Sequence, residues 1–333
     1  MTAVAMATSI ACANIAFIKY WGNRNDALRL PANGSISMNL AGFETRATVQ
    51  FDRLLSADNV KINGQVAAGP AYDRVCLLLE RVRNLAGFHH FARVQSENNF
   101  PTGAGIASSA SAFAALALAS ASAAGLDLQP SALSRLARRS SGSACRSIPG
   151  GFVEWAVGTG DADSYALSIA SPDLWNLSDC IAVISTEPKT TGSTEGHALA
   201  GTSPLQSARV QDAPRRLDLC RQAILNRDFA AFSEIVEADS NLMHAVMMTS
   251  RPPLFYWQPA TLAVMQAVRA ARAQGLPACT TIDAGANVHA ICTADAVEET
   301  SRLLQGIPGV QSVRLAKVGG PARLVEKPSP DHH

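Results

Sequence analysis

The sequence lacks an excess of charge of either sign. Its 28 Lys and Arg stand against 27 Asp and Glu, a net +1. With no local Lys/Arg cluster either, it carries no electrostatic footprint for nucleic acid, although a small anionic substrate stays open. It also lacks the make-up of a disordered chain, because 47% of its residues are apolar and 17% charged. Closely paired cysteines are missing. The seven, at 12, 76, 145, 180, 220, 279 and 292, are never nearer than 13 residues, which excludes the C-x-x-C spacing of zinc sites. An odd count in a large chain with no secretory signal leads us to expect reduced thiols and a cytoplasmic protein. A convincing membrane span is absent too. Asn98 to Leu126 runs 29 residues without a charge, but it holds five serines, three glycines and a proline, and its apolar residues are mostly alanine. A bilayer helix needs ~20 strongly apolar residues, so this stretch reads as a buried helix of a soluble fold.

What is there is enough chain for one large domain or two, since 333 residues compare with ~100–200 per domain. Residues 9–21 are apolar and β-compatible, and 33–39 and 45–51 alternate as two antiparallel strands. Asn63-Gly64 marks a hairpin turn. Residues 70–86 predict an amphipathic helix with Val75, Leu78, Leu79, Val82 and Leu85 on one stripe, and 130–139 another with Leu133, Leu136 and Ala137 inward. A short strand is expected at 91–96, another strand near 152–157 and a long apolar one at 180–185. The Thr/Ser/Gly/Pro-rich run 186–207 reads as a mobile loop near the domain junction. Helices follow at 208–226, 229–247, 259–275 and 295–305, interleaved with strands at 278–282, 288–292 and 313–318. The pattern is α+β, with domains expected at 1–187 and 188–326 and a loose tail at 327–333.

Four places carry residues suited to chemistry. The loop 101–111, PTGAGIASSAS, enters the uncharged helix directly. Gly103 and Gly105 allow close approach, and the helix start with Ser108 and Ser109 offers N–H and hydroxyl donors to an anion. It matches neither a Walker A loop nor a dinucleotide fingerprint, and a plain glycine loop capping a core helix is the alternative. Lys19 interrupts an apolar strand, so it either meets an anion in a water-filled site or points outward from an edge. Arg146, in SSGSACRS, is set among small residues that admit a carboxylate or phosphate, or else it makes a structural salt bridge. Asp283, in TIDAGAN, ends an apolar strand as a general base would, or as ordinary Asp-x-Gly turn chemistry. His244 and the pair His89-His90 have no ligand-spaced partners and read as core or surface histidines.

Taken together, ANIAFIKYWGNRN (13–25), LPANGSISMNL (30–40), NNFPTGAGIASSASAFAAL (98–116), SGSACRSIPGGFVEW (141–155) and DAGANV (283–288) resemble the diphosphomevalonate decarboxylase family of the GHMP kinase superfamily. The resemblance spans nearly the whole chain and is strongest over 10–160 and 278–290. It implies the GHMP kinase fold, with a ribosomal-protein-S5-like N-terminal domain and a ferredoxin-like C-terminal one, and a homodimer. It also implies an ATP- and magnesium-dependent reaction on a phosphorylated mevalonate. Pro101, Gly103, Ala104, Gly105, Ala107, Ser108 and Ser109 would hold the ATP phosphates, with Ser109 at magnesium. Asp283 would act on the C3 hydroxyl, Arg146 would clamp the carboxylate with Asn14 steering it, and Lys19, Tyr20, Ser141, Ser143, Ser193 and Thr194 would face the substrate.

Two departures bear on the substrate. Diphosphate-using members read KYWGK where this chain has Asn23, and Ser-Arg where it reads Ser193-Thr194. Two lost charge-assisted contacts at roughly 1.5–3 kcal/mol each would weaken diphosphate binding, unless Arg24 or Lys189 substitutes. LFYWQPATL (254–262) and VGGPA (318–322) look like the branch that decarboxylates mevalonate 5-phosphate to isopentenyl phosphate. That activity is the expectation. The same chemistry on the 5-diphosphate comes second. A 3-kinase that stops before decarboxylation comes third, although such kinases tend to lose the Asp283 and Lys19 kept here. A silent GHMP-fold binding protein, the reading from another class, fits poorly with retention of Gly103, Gly105, Ser109, Arg146 and Asp283.

Overall fold

The computed structural model describes residues 6–100, 108–187 and 191–325. Its N-terminal half runs β1 (Met6–Ile18), a ribbon of β2 (Asn23–Asn25) and β3 (Leu30–Pro31), β4 (Ser35–Asp52), β5 (Asn59–Ile62), β6 (Gln65–Val66), α1 (Gly69–Ala86), β7 (Phe91–Asn98), α2 (Ser108–Ala123), α3 (Pro130–Arg138), a 3-10 turn (Gly142–Ser147), β8 (Phe152–Trp155) and β9 (Ala166–Ala170). Then come β10 (Leu177–Val183), α4 (Ser193–Leu199), α5 (Gln206–Asn226), α6 (Phe229–Thr249), α7 (Pro259–Ala273), β11 (Ala278–Thr281), β12 (Val288–Thr293), α8 (Val297–Gln305), β13 (Ser312–Val318) and β14 (Arg323–Leu324). Helices and largely antiparallel strands are mixed as the α+β expectation requires. The sequence pattern does not mark β9, the ribbon β2–β3, β14 or the short α4.

The two alternating segments at 33–39 and 45–51 are one strand. β4 pairs along β1 with a register shift in which Cys12 faces Glu44 while the next residue, Ala13, faces Leu40. The extra Ala41-Gly42-Phe43 bulges out, with Gly42 at φ 85°. A glycine in that region breaks the alternation and imitates a turn, but β1 continues straight past and holds both parts together. β4 thereby pairs with β1, β7, β8 and β13. A single sheet, in the order β11-β12-β10-β13-β4-β7-β5-β6, crosses the molecule. β10 precedes residue 188 and pairs with β12 and β13. The Asn63-Gly64 turn is as read, with both residues at positive φ.

Helix α2 carries the uncharged run. Its alanines let it lie against β1 and β4 in one core, and hydroxyls of β1 and of the helix itself find partners there. Ser9 Oγ donates to Ala115 O at 2.5 Å, Ser111 Oγ shares a hydrogen bond with Thr45 Oγ1 at 2.7 Å, and Ser120 Oγ donates back to Leu116 O at 2.6 Å. Among the described residues no helix is long and apolar enough to cross a membrane. In α1 the residues Val75, Leu78, Leu79 and Val82 are buried, but Leu85 is exposed. The left-handed turn at Gly87 (φ 72°) ends the helix and brings Phe88 onto Phe51, with ring centroids 4.9 Å apart, so Phe88 covers the core there. The Thr/Ser-rich stretch at 186–207 is not wholly loop, since it contains α4 and a 3-10 turn at Ala200–Thr202. Helices this short owe their stability to packing rather than propensity, and α4 lies against Trp21.

Candidate active site

Segments distant in sequence converge on a cavity of about 350 Å³. β1 and its exit supply Asn14, Lys19, Tyr20 and Trp21. The start of α2 supplies Ser108 and Ser109, and the 3-10 turn region supplies Ser141, Ser143 and Arg146. Ser193, Thr194 and His197 come from α4, Met243 from α6, and Asp283 from the turn after β11. Every described residue that the resemblance assigns to ATP, magnesium, the substrate or the chemistry lines this cavity, whereas Asn23, Arg24, His89, His90 and His244 do not. Pro101, Gly103, Ala104, Gly105 and Ala107 lie outside the described residues, as does Lys189.

Lys19 points inward and is 1% exposed, so the outward edge-strand alternative does not hold. Its Nζ meets Asp283 Oδ1 at 2.6 Å. Burial pulls its pKa down and the Asp283 charge pulls it back up. The backbone around it is pinned by a buried polar net. Lys19 N–H donates to Asp239 Oδ2 at 2.6 Å, and Lys19 O accepts from Asn33 Nδ2 at 2.9 Å and from Arg209 at 2.6 Å. Arg216 binds the other oxygen of Asp239 at 2.7 Å. These bonds fix the backbone from which the Lys19 side chain reaches Asp283.

Arg146 is treated differently. It is 3% exposed, donates to Ser35 Oγ at 2.8 Å and to Asn14 Oδ1 at 3.1 Å, and its Nε is buried without a partner among the described residues. Asn14 is itself oriented by donating to Ser147 Oγ at 2.8 Å and Ser143 O at 3.2 Å. No carboxylate pairs with Arg146 among the described residues, so the structural salt-bridge alternative finds no support. Burial lowers its pKa, yet a guanidinium stays charged in proteins. A buried cation bound only to neutral acceptors is set up to receive an anion.

Several lining residues escaped the sequence reading. Arg74 is laid over the Phe113 ring at 4.6 Å, donates to Ser140 O at 2.9 Å, and is pushed down to about 10 by burial, so it is charged at neutral pH. Arg29 lines the same wall. His197 stacks on Tyr20 with centroids 4.1 Å apart, and nothing in the spacing of 186–207 marked it. Tyr20 packs so tightly over Gly142 that a Cβ there would stand 2.6 Å from its ring, and burial raises the Tyr20 pKa. Tyr20 O–H donates to Asn23 Oδ1, and Asn23 Nδ2 donates to Asp26 at 2.8 Å. Arg24, considered as a replacement cation, instead donates to the Val157 and Gly158 carbonyls and does not line the cavity. His244 is a core histidine as expected, buried against Trp257 with its Nε2 3.4 Å from Ile282 O.

The donor set can hold anions and a hard cation. Ser108 and Ser109 stand at the positive end of a long helix, with Ser109 Oγ 3.3 Å from Ser141 Oγ. Among the described residues no group of three His, Cys, Asp or Glu could cage a metal. The Ser109 hydroxyl is the kind of single protein oxygen that magnesium takes alongside water and phosphate.

Comparison with known proteins agrees with this arrangement. Residues 11–166 match the diphosphomevalonate decarboxylase-like N-terminal domain and 180–322 the mevalonate 5-diphosphate decarboxylase C-terminal domain. The diphosphomevalonate decarboxylase of Aspergillus fumigatus is 39% identical over 303 residues, which is 84% of this chain and 75% of that one. The phosphomevalonate decarboxylase of Haloferax volcanii is 35% identical over 312 residues, 93% of this chain and 94% of that one. A solved structure of MDDEF in complex with MVAPP, AMPPCP and magnesium superposes with a TM-score of 0.91 at 38% identity, covering 97% of this chain and 99% of that one. Relatives at such identity over most of their length, together with both matched domains, mean that this chain belongs to the diphosphomevalonate decarboxylase family of the GHMP kinase superfamily.

Proposed function

We propose that this protein catalyses the ATP- and magnesium-dependent decarboxylation of (R)-mevalonate 5-phosphate, giving isopentenyl phosphate, carbon dioxide, ADP and phosphate. The observation that carries the reading is Arg146, a buried cation lining the cavity with no carboxylate partner among the described residues, next to the Lys19–Asp283 pair. It is the complement of a substrate that brings its own carboxylate to a proton acceptor.

ATP with magnesium, when bound, supplies the phosphoryl group that turns the 3-hydroxyl into a leaving group. The start of α2, with Ser108, Ser109 and the nearby Arg74, offers the donors that would hold it. Asp283 accepts the hydrogen of the 3-hydroxyl and takes its proton as the oxygen becomes phosphorylated. Lys19, 2.6 Å away, keeps the carboxylate aimed. Arg146 holds the C1 carboxylate, with Asn14 fixing the guanidinium plane. When the C3–O bond breaks, the C1–C2 electrons become the C2=C3 bond and the carboxylate leaves as carbon dioxide. The cations around the cavity stabilise the departing phosphate.

The monophosphate is favoured because Asn23 is bonded to Tyr20 and Asp26, and Thr194 brings a hydroxyl, where diphosphate-using members of the family have cations. The Haloferax relative, matched along nearly its whole length, is named for the monophosphate. The second reading is the 5-diphosphate, favoured by Arg29 and Arg74 on the cavity wall and by the names of most relatives. A paired assay with ATP, magnesium and each substrate, read by phosphorus NMR and mass spectrometry, decides between them. Isopentenyl phosphate formed with a clear kcat/KM preference for the monophosphate is the expected result. Preference for the 5-diphosphate overturns it, and absence of product from either substrate removes the decarboxylase reading.

A further inference from the structure

His197 is held in a way that the reaction just described does not require. Its neighbour Gly196 has no room for a side chain, since a Cβ would stand 2.5 Å from the Trp21 ring, so α4 lies directly on that ring. The imidazole is then wedged between aromatic faces, 4.1 Å from Tyr20 at an interplanar angle of 30° and 4.6 Å from Trp21 at 36°. Its Nδ1 takes the N–H of Gly22 at 2.9 Å. A backbone N–H can only donate, so Nδ1 carries no proton, and the ring is neutral with its single proton on Nε2. Burial, reinforced by Arg29, Arg209 and Arg146, pushes the ring down to about 3, in agreement with that tautomer. Nε2 has no hydrogen-bond partner among the described residues. The ring lines both the main cavity and an adjoining cleft bounded by Gly22, Asn23 and Asp26.

We propose that His197 is a specificity-determining residue whose Nε2–H donates to an oxygen of the substrate's 5-phosphate, and that this neutral donor favours the monophosphate over the diphosphate. The inference rests on the reading of the cavity as a phosphorylated-mevalonate site. The segments 20–23 and 193–197 bring Ser193, Thr194 and His197 to this wall as uncharged donors, while the Tyr20 hydroxyl is engaged by Asn23 and the Asn23 amide by Asp26, and the positive charges of the cavity, Arg29 among them, come from other segments. A neutral N–H supplies direction without charge. A 5-diphosphate brings additional negative charge, which donors of this kind solvate but do not neutralise, whereas a monophosphate loses less on leaving water. The stack on Tyr20 and Trp21 and the bond from Gly22 hold the donor rigidly, so little side-chain entropy is lost on binding.

The test compares wild type with His197→Phe, which keeps an aromatic ring in the stack but has no N–H, and with His197→Gln, whose amide nitrogen reaches about as far as Nε2. In His197→Phe the KM for mevalonate 5-phosphate should rise about tenfold or more, with kcat and the KM for ATP within about threefold of wild type. The preference for the monophosphate should narrow, and His197→Gln should recover most of the loss. An unchanged KM in His197→Phe, in an enzyme that prefers the monophosphate, overturns the role of His197 alone. Wild-type preference for the 5-diphosphate overturns the substrate reading instead. Should the Phe variant fail to fold, wild type labelled with 15N-histidine serves as the second measurement. The Nε2–H tautomer in the free protein and a shift of that resonance on titration with mevalonate 5-phosphate support the proposal. An Nδ1–H tautomer, or a resonance that the substrate does not move, overturns it.

Discussion

Lys19 and Arg146 are both buried cations on the wall of one cavity, but only Lys19 has an anion beside it among the described residues. Removing the partner of a buried charge is costly, typically about 3–5 kcal/mol, because the remaining charge stays desolvated. We therefore expect Asp283→Asn to do two things. Turnover should fall by roughly 10²–10⁴-fold through loss of the proton acceptor, and the melting temperature should drop because the Lys19 ammonium loses its neighbour. Steady-state product formation and calorimetry check both, and turnover within a few-fold of wild type would remove Asp283 from the chemistry. Arg146→Met keeps the length but removes the charge. With no ion pair to break among the described residues, only the hydrogen bonds to Ser35 and Asn14, it should cost no more than about 1–3 kcal/mol of stability while abolishing detectable decarboxylation. At this scale Lys19 was legible because a charge inside an apolar strand demands an explanation, and Arg146 because small residues surround it. His197 was not, since its significance lies in the rings it touches, and neither Tyr20 nor Trp21 is its neighbour in sequence.

Elements bring these residues together through close approaches that only small residues permit. The 3-10 turn at Gly142–Ser147 sets Arg146 against Ser35 and Asn14, and Gly142 lets the Tyr20 ring lie on the turn's backbone. Gly142→Ala should force that ring away, at a cost of about 1–3 kcal/mol for overpacking. It should raise the KM for the phosphorylated substrate more than the KM for ATP. Melting curves and paired KM values test this, and equal effects on both substrates would argue against a local displacement of Tyr20. Strand β4 shows what alternation could not convey. Its bulge at Ala41-Gly42-Phe43 looks like the end of a strand when read locally, yet pairing with β1 on both sides makes it one element. The hairpin at Asn63-Gly64 was readable because a two-residue turn is a local property. The short α4 was not, because a helix of that length depends on the surface it rests on.

Across the whole molecule, Asp239 on α6 joins the Lys19 backbone at the end of β1 to Arg216 on α5, so the late helices brace the early strand. The same fold holds two histidines in neutral form, His244 buried and His197 half-buried. His244 is pushed down to about 4 and His197 to about 3, both mainly by burial, whereas an unfolded histidine titrates near 6.5. Between those values the unfolded chain binds the proton that the folded chain refuses, so stability rises with pH across this window and is lost as pH falls from about 6.5 toward 4. His244→Gln removes one such proton. Its melting temperature should therefore fall less steeply than that of wild type between pH 6.5 and 4.5, as calorimetry across buffers would show. A slope equal to wild type would mean that His244 does not contribute to the acid sensitivity.

By itself the sequence determined the α+β class, the positions of most helices and strands, the glycine hairpin and the identity of the chemically unusual residues. These follow from local periodicity, turn chemistry and the cost of placing charge among apolar neighbours, all of which act over a few residues. The motifs it shares with a known family extended that reading to a reaction. Only the tertiary structure decided that Lys19 meets Asp283, that Arg146 is hydrogen-bonded to Ser35 and Asn14 with no ion pair among the described residues, that β4 is continuous, and that His197 is locked as a neutral donor. Each of those depends on residues more than a hundred positions apart, or on a strand partner or a ring face supplied by another element, and no local pattern records such a meeting.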